Sequence, residues 1–128
     1  MSLLNRIFKS SDSKEVKTLP WKELKSISQL DEIERDSKSR VQAIFKHSTR
    51  CGISSMVMKR FVSSYEFQEE DVDLYYLDLL NYREVSNETG YKFQVLHQSP
   101  QLLIIKNGET IHHSSHHNID ANAIQAFI

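Results

Sequence analysis

Val41-Gln42-Ala43-Ile44-Phe45 is an apolar run of strand length that gives way to the polar Lys46-His47-Ser48-Thr49, and it predicts a central strand. The spacing then changes. From Cys51 onward Ile53, Val57 and Phe61 recur every four residues, Met56 lies on a neighbouring face, and Lys59 and Arg60 are left for water, which predicts a helix to about Ser64. Leu74, Tyr75, Tyr76 and Leu77 suit a pleated, buried setting, so Val72 to Leu80 is expected to form a second interior strand. Gln101 to Lys106 is a third. Asn107-Gly108 follows it, and both residues tolerate the positive φ of a type I′ turn, so Glu109 to His113 is expected to return antiparallel.

Weaker signals fill the gaps. Trp21 to Leu24 reads as an edge strand, and Ser28 stands as a hydroxyl cap before Gln29-Leu30-Asp31-Glu32-Ile33, a short helix with acidic residues in its first turn. Asn81 is the expected cap of a helix that has Glu84 three residues on and Gly90 as its left-handed end. Asp120 starts a last helix in which Ala123, Ile124 and Phe127 can pack on the sheet. Strands and helices alternating in this order predict a mixed α/β sheet of four to five strands flanked by helices, with a C-terminal hairpin and a final helix. That order resembles a thioredoxin-like domain.

At 128 residues the chain suits one domain. Residues 1–18, polar and rich in Ser and Lys over Lys9 to Lys17, read as a flexible lead-in, and residues 19–128 as the domain. Leu3-Leu4 and Ile7-Phe8 are too short for a membrane span and precede no cleavage signal, so neither a signal peptide nor a membrane association is expected. A net charge of −1 gives no field for gathering a polyanion, so no nucleic acid partner is expected. One cysteine cannot build a disulfide framework, which makes a cytoplasmic setting the default.

That cysteine carries the candidate chemistry. Cys51 falls where a strand turns into a helix, and a sulfur at a helix N-terminus meets unpaired amide groups and the positive end of the backbone dipole, which favour the nucleophilic thiolate. Ser54 takes the place of the second sulfur in a Cys-x-x-Cys pair; its hydroxyl can hydrogen-bond a thiolate but cannot form a disulfide, so any exchange must run on one sulfur. Lys46, His47 and Arg50 are the nearby cationic or titratable groups, although Lys46 and Arg50 read equally well as solvated loop charges.

Three blocks resemble one family, the bacillithiol-system redox proteins called YtxJ, also described as monothiol bacilliredoxins. Phe45-Lys46-His47-Ser48 through Cys51-Gly52-Ile53-Ser54, with Thr49 and Arg50 between, is similar to the family's Lys-His-Ser-x-x-Cys-x-Ile-Ser signature. His97-Gln98-Ser99-Pro100-Gln101 is similar to its Ser-Pro-Gln, and Ser115-His116-His117-Asn118-Ile119 resembles a His-containing link to the last helix. One position departs: many members carry proline after the cysteine, and Gly52 loosens that first turn. The resemblance implies a cis Pro100 facing the thiol, with Ser99 and Gln101 flanking an edge where a substrate chain docks; the plain alternative is that Pro100 starts an edge strand.

The resemblance further implies a monothiol thiol-disulfide exchange protein of the stress response, with Cys51 as nucleophile, that removes bacillithiol or a similar small thiol from S-thiolated client proteins. The small thiol is then a co-substrate, no cofactor is bound, and the chain is a monomer or weak dimer. Cys51-Gly52-Ile53-Ser54 also approaches the Cys-Gly-Phe-Ser of iron-sulfur-binding monothiol glutaredoxins, but the Gly-Gly and Cys-Asp elements of that family are missing. A non-catalytic binding module on the same fold is the other alternative. His112, His113, His116 and His117 lack the spacing of a metal site and read as surface histidines; His116 alone matches the family link.

Overall fold

The computed structural model describes residues 18–128, so the lead-in expected over residues 1–18 lies outside the described residues apart from Thr18. The elements are β1 (Lys22–Glu23), α1 (Ser28–Asp36), β2 (Val41–His47), α2 (Gly52–Ser64), β3 (Val72–Asp78), α3 (Arg83–Phe93), β4 (Gln101–Lys106) and β5 (Glu109–Ser115), followed by 3₁₀ helices at His116–Asn118 and Ala121–Phe127. The sheet order is β1-β3-β2-β4-β5. β1, β3 and β2 run parallel, and β4 and β5 complete the sheet antiparallel. This is the expected thioredoxin-like fold, a five-stranded mixed sheet between helices.

Alternation along β2 builds a core on each face of the sheet. Val41, Ala43 and Phe45 join Val57 and Phe61 of α2 and Ala121 and Ile124 of the second 3₁₀ helix. Ile44 turns the other way, onto Leu30 and Ile33 of α1 and Val85 and Phe93 of α3. Covered on both sides, every residue of β2 is buried, including Gln42, Lys46 and His47.

Four local expectations are corrected. Ser28 is the first helical residue of α1 and caps nothing; the Gln29 side chain folds back instead, its Oε1 accepting from the amides of Lys25 at 2.7 Å and Ser26 at 3.0 Å. Asn81 lies outside α3 and donates through Nδ2 to Asp78 at 2.8 Å, leaving Tyr82 as the flanking residue. Gly90 does not end α3, which continues to Phe93 and closes on Gln94 at φ 58°. The last helix is 3₁₀ rather than α, because Ala121, Ile124 and Phe127 are spaced by three and align at 3.0 residues per turn; Ala121, not Ala123, is the small residue that is buried. Asp120 does cap it, accepting from the Asn122 amide at 3.0 Å. The hairpin turn is as expected, with Asn107 at φ 54° and Gly108 at φ 80°.

Candidate active site

β2 ends at His47 and the chain turns at once, the Cys51 amide donating to the Ser48 carbonyl at 3.2 Å. Cys51 is the flanking residue of α2, extended at φ −106° and ψ 122°, and its carbonyl accepts the first helical bond from Ser55 at 3.0 Å. Its sulfur is half-buried and makes no capping hydrogen bond. The first-turn amides of α2 therefore remain for whatever anion meets them, whether the thiolate or an incoming group. Thr49, Arg50 and Gly52 are exposed. Ile53, 45% exposed, and Met56, 54% exposed, are the large apolar side chains that the start of α2 leaves open to solvent.

Behind the sulfur, Ser54 is fully buried, and its hydroxyl accepts from the Ser48 amide at 3.1 Å and lies 2.7 Å from Nδ1 of His47. Burial holds the His47 pKa below its ordinary value against the opposing charge of Asp78, so the ring is neutral near pH 7. A neutral ring on that network accepts at Nδ1 the hydrogen bond that the Ser54 hydroxyl donates, the tautomer being assigned from the bonding pattern. Ser54 stands one helical turn from Cys51, where a resolving cysteine would, yet its hydroxyl is committed to the end of β2.

Lys46 faces away from this pair. Its Nζ donates to the Ser86 carbonyl of α3 at 3.1 Å and lies 3.5 Å from Nδ1 of His97. Burial pushes its pKa down to about 8. His97 is held low as well, first by burial and then by the charges of Lys46 and Arg83, which keeps its ring neutral and able to accept. Gln101 is opposite Lys46 on β4, and its Nε2 donates to the Leu96 carbonyl at 3.0 Å. The Ser99–Pro100 peptide is cis, and the Pro100 carbonyl accepts from the His116 amide at 3.1 Å, with His116 itself in the left-handed region at φ 56°.

Strand register gathers these parts at one end of the sheet. Lys46 pairs with Leu77 on β3 and Gln101 on β4, so the turn to Cys51, the start of α3 and the approach to Pro100 all leave from the same edge. Ser48, Ser54 and His47 close on one another behind Cys51, and Ser99, Pro100, Gln101 and His116 form a second group; Lys46 belongs with α3 and the segment before Pro100 rather than with the thiol turn. Ser86, Arg83 and His97 were not anticipated as partners. His97 opens the His-Gln-Ser-Pro-Gln block, but nothing local links it to a lysine 51 positions earlier. Among the described residues no group of three or more His, Cys, Asp and Glu could hold a metal ion.

The family model for the monothiol bacilliredoxin BrxC matches residues 22–124. The chain belongs to this family. The bacilliredoxin match spans both the Cys51 turn and the Pro100 approach, and the lone cysteine fits the monothiol description. Among solved structures, a candidate oxidoreductase with a thioredoxin fold is 28% identical, covering 83% of this chain and 91% of that one at a TM-score of 0.69. The thioredoxin of Malassezia sympodialis, 20% identical over 91% of this chain and 94% of its own, superposes at a TM-score of 0.65 and supports the fold alone. So does Schistosoma mansoni thioredoxin, 20% identical over 84% of this chain and 95% of its own at 0.61. The family, with the 28% identical oxidoreductase beside it, makes this a thiol redox protein.

Proposed function

We propose that this bacilliredoxin removes bacillithiol, or a small thiol like it, from mixed disulfides on cytoplasmic proteins. The Cys51 thiolate attacks the small-thiol sulfur of the mixed disulfide. A new bond joins Cys51 to the small thiol, the old S–S bond breaks, and the client leaves as a thiolate that takes a proton from water. A second small-thiol thiolate then attacks the adduct, releasing the symmetric small disulfide and returning the Cys51 thiolate, so two electrons pass from small thiol to client. The small thiol is a co-substrate, no cofactor is required, and one chain suffices.

The observation that carries this reading is the pairing of a half-buried Cys51 at the opening of α2 with a fully buried Ser54 hydroxyl held by His47. A chain with no second thiol must hand its adduct to a soluble thiol. Reduced protein mixed separately with an S-bacillithiolated and an S-glutathionylated protein and weighed intact is expected to gain the mass of one bacillithiol from the first while that client loses it, and Cys51→Ser is expected to gain none. Uptake of glutathione alone would reassign the co-substrate; no adduct from either source would refute exchange.

A further inference from the structure

We propose that Lys46 is a positioning residue that sets the segment before Pro100 for protein clients, so that it governs which mixed disulfides are taken rather than the reactivity of the thiol. The proposal rests on the exchange reading, in which a client's chain pairs beside Pro100. An ammonium group is costly to enclose, and this one is wholly buried, so its place in the fold matters. It bridges the Ser86 carbonyl in α3 at 3.1 Å and the His97 ring at 3.5 Å, two residues beyond the Val95 amide that bonds back to Gly90.

The segment it reaches has little structure of its own. Gln94 is left-handed at φ 58°, Leu96 is 88% exposed, and regular pairing resumes only at Gln101. Two neighbouring side chains on adjacent strands supply anchors from below: Gln101 fixes the Leu96 carbonyl at 3.0 Å, and its cross-strand partner Lys46 holds the next residue, His97. Downstream the Pro100 carbonyl is tied to the His116 amide at 3.1 Å. Leu96, His97 and Pro100 are thus fixed at three points, and Gln98 and Ser99 between them are presented as a short edge. A docked chain reads such an edge through its backbone, where a small disulfide with no chain cannot. Loss of one anchor therefore falls on protein substrates first.

The test compares two second-order rate constants for each protein, one with an S-bacillithiolated protein and one with bacillithiol disulfide, in the wild type, Lys46→Met and His97→Ala. In both variants the protein-to-small-disulfide ratio is expected to fall about tenfold, the size of a single hydrogen bond lost on docking. Lys46→Met is expected to keep or raise the thermal midpoint, because it exchanges a buried charge for an apolar chain of similar length. Exposed His97 tests the contact without touching the core, should Lys46→Met fail to fold. A ratio equal to wild type in His97→Ala, or equal loss of both rates, overturns the positioning role and leaves exchange standing. A wild type that takes up neither substrate overturns the exchange reading itself.

Discussion

Lys46 is charged at neutral pH and fully enclosed, so the folded chain holds it against the pull of water. Below pH 8 it is protonated in the folded and unfolded states alike, and the cost of enclosing the charge is present in full. Between about 8 and its ordinary 10.5 the folded chain releases this proton while the unfolded chain keeps it, so stability rises with pH across that window. The whole rise is about 3 kcal/mol. Tyr65 and Tyr75, both pushed up to about 12 by burial first, act in the opposite sense once pH passes 10, which limits the useful range to pH 7–9.5. Denaturant unfolding across that range is expected to show the wild type gaining on Lys46→Met as pH rises; parallel curves would mean that the lysine is hydrated in solution. The contrast with Cys51 explains what could be read beforehand. The placement of Cys51 follows from a strand-to-helix change within ten residues, whereas the destination of Lys46 depends on Ser86 and His97, 40 and 51 positions away. A lysine beside a reactive cysteine looks like its electrostatic support until the pleat sends it to the other face.

At the scale of elements the same division holds. The hairpin was legible because Asn107 and Gly108 answer to their own φ angles, and the β2–α2 junction because its two periodicities meet at one residue. Gly90 was not, because the demand on it comes from elsewhere: a Cβ there would lie 2.9 Å from the Val95 carbonyl, whose own amide donates back to Gly90 at 3.1 Å. The glycine admits the returning chain beside α3 and so sets where the Pro100 approach begins. Gly90→Ala gains about 1 kcal/mol of helix propensity but forces a backbone oxygen aside, and overpacking of that kind costs about 1–3 kcal/mol. A net loss of about 1 kcal/mol is expected in urea unfolding. Gly52 is the control, since nothing lies within 4 Å of an added Cβ and Cys51 before it is already extended. Gly52→Ala is expected to gain about 0.5–1 kcal/mol. Reversal of the two signs would show that α3 and the chain after it are packed otherwise.

Across the whole molecule, the two ends of the parallel strands do different work. The candidate site lies where β2 and β3 finish, at His47 and Asp78, and the clamp that fastens β1 lies where they begin. There Asp73, only 8% exposed, accepts from Gln42 at 2.7 Å, Lys22 at 3.0 Å and Arg40 at 3.1 Å. Five steps along the strand, roughly 16 Å, separate it from Asp78. Burial alone would raise the Asp73 carboxyl, but the hydrogen bonds from Gln42, Lys22 and Arg40 outweigh it and hold the group below its ordinary 3.8. A carboxyl lowered on folding stabilises the protein above its unfolded pKa, and that contribution is lost as pH falls through the folded value. Asp73→Asn keeps the shape, removes the charge and leaves Lys22 and Arg40 without a counter-ion, for an expected loss of about 1–3 kcal/mol at pH 7. The gap between wild type and variant should narrow as the solution is acidified below pH 4, because the wild-type carboxyl is then neutralised too. Exchange with the S-bacillithiolated client, measured well below the unfolding midpoint, should match wild type within error. A fall in exchange rate without a fall in stability would mean that the two ends are coupled through β2 and β3, and the separation of clamp from chemistry would have to be abandoned.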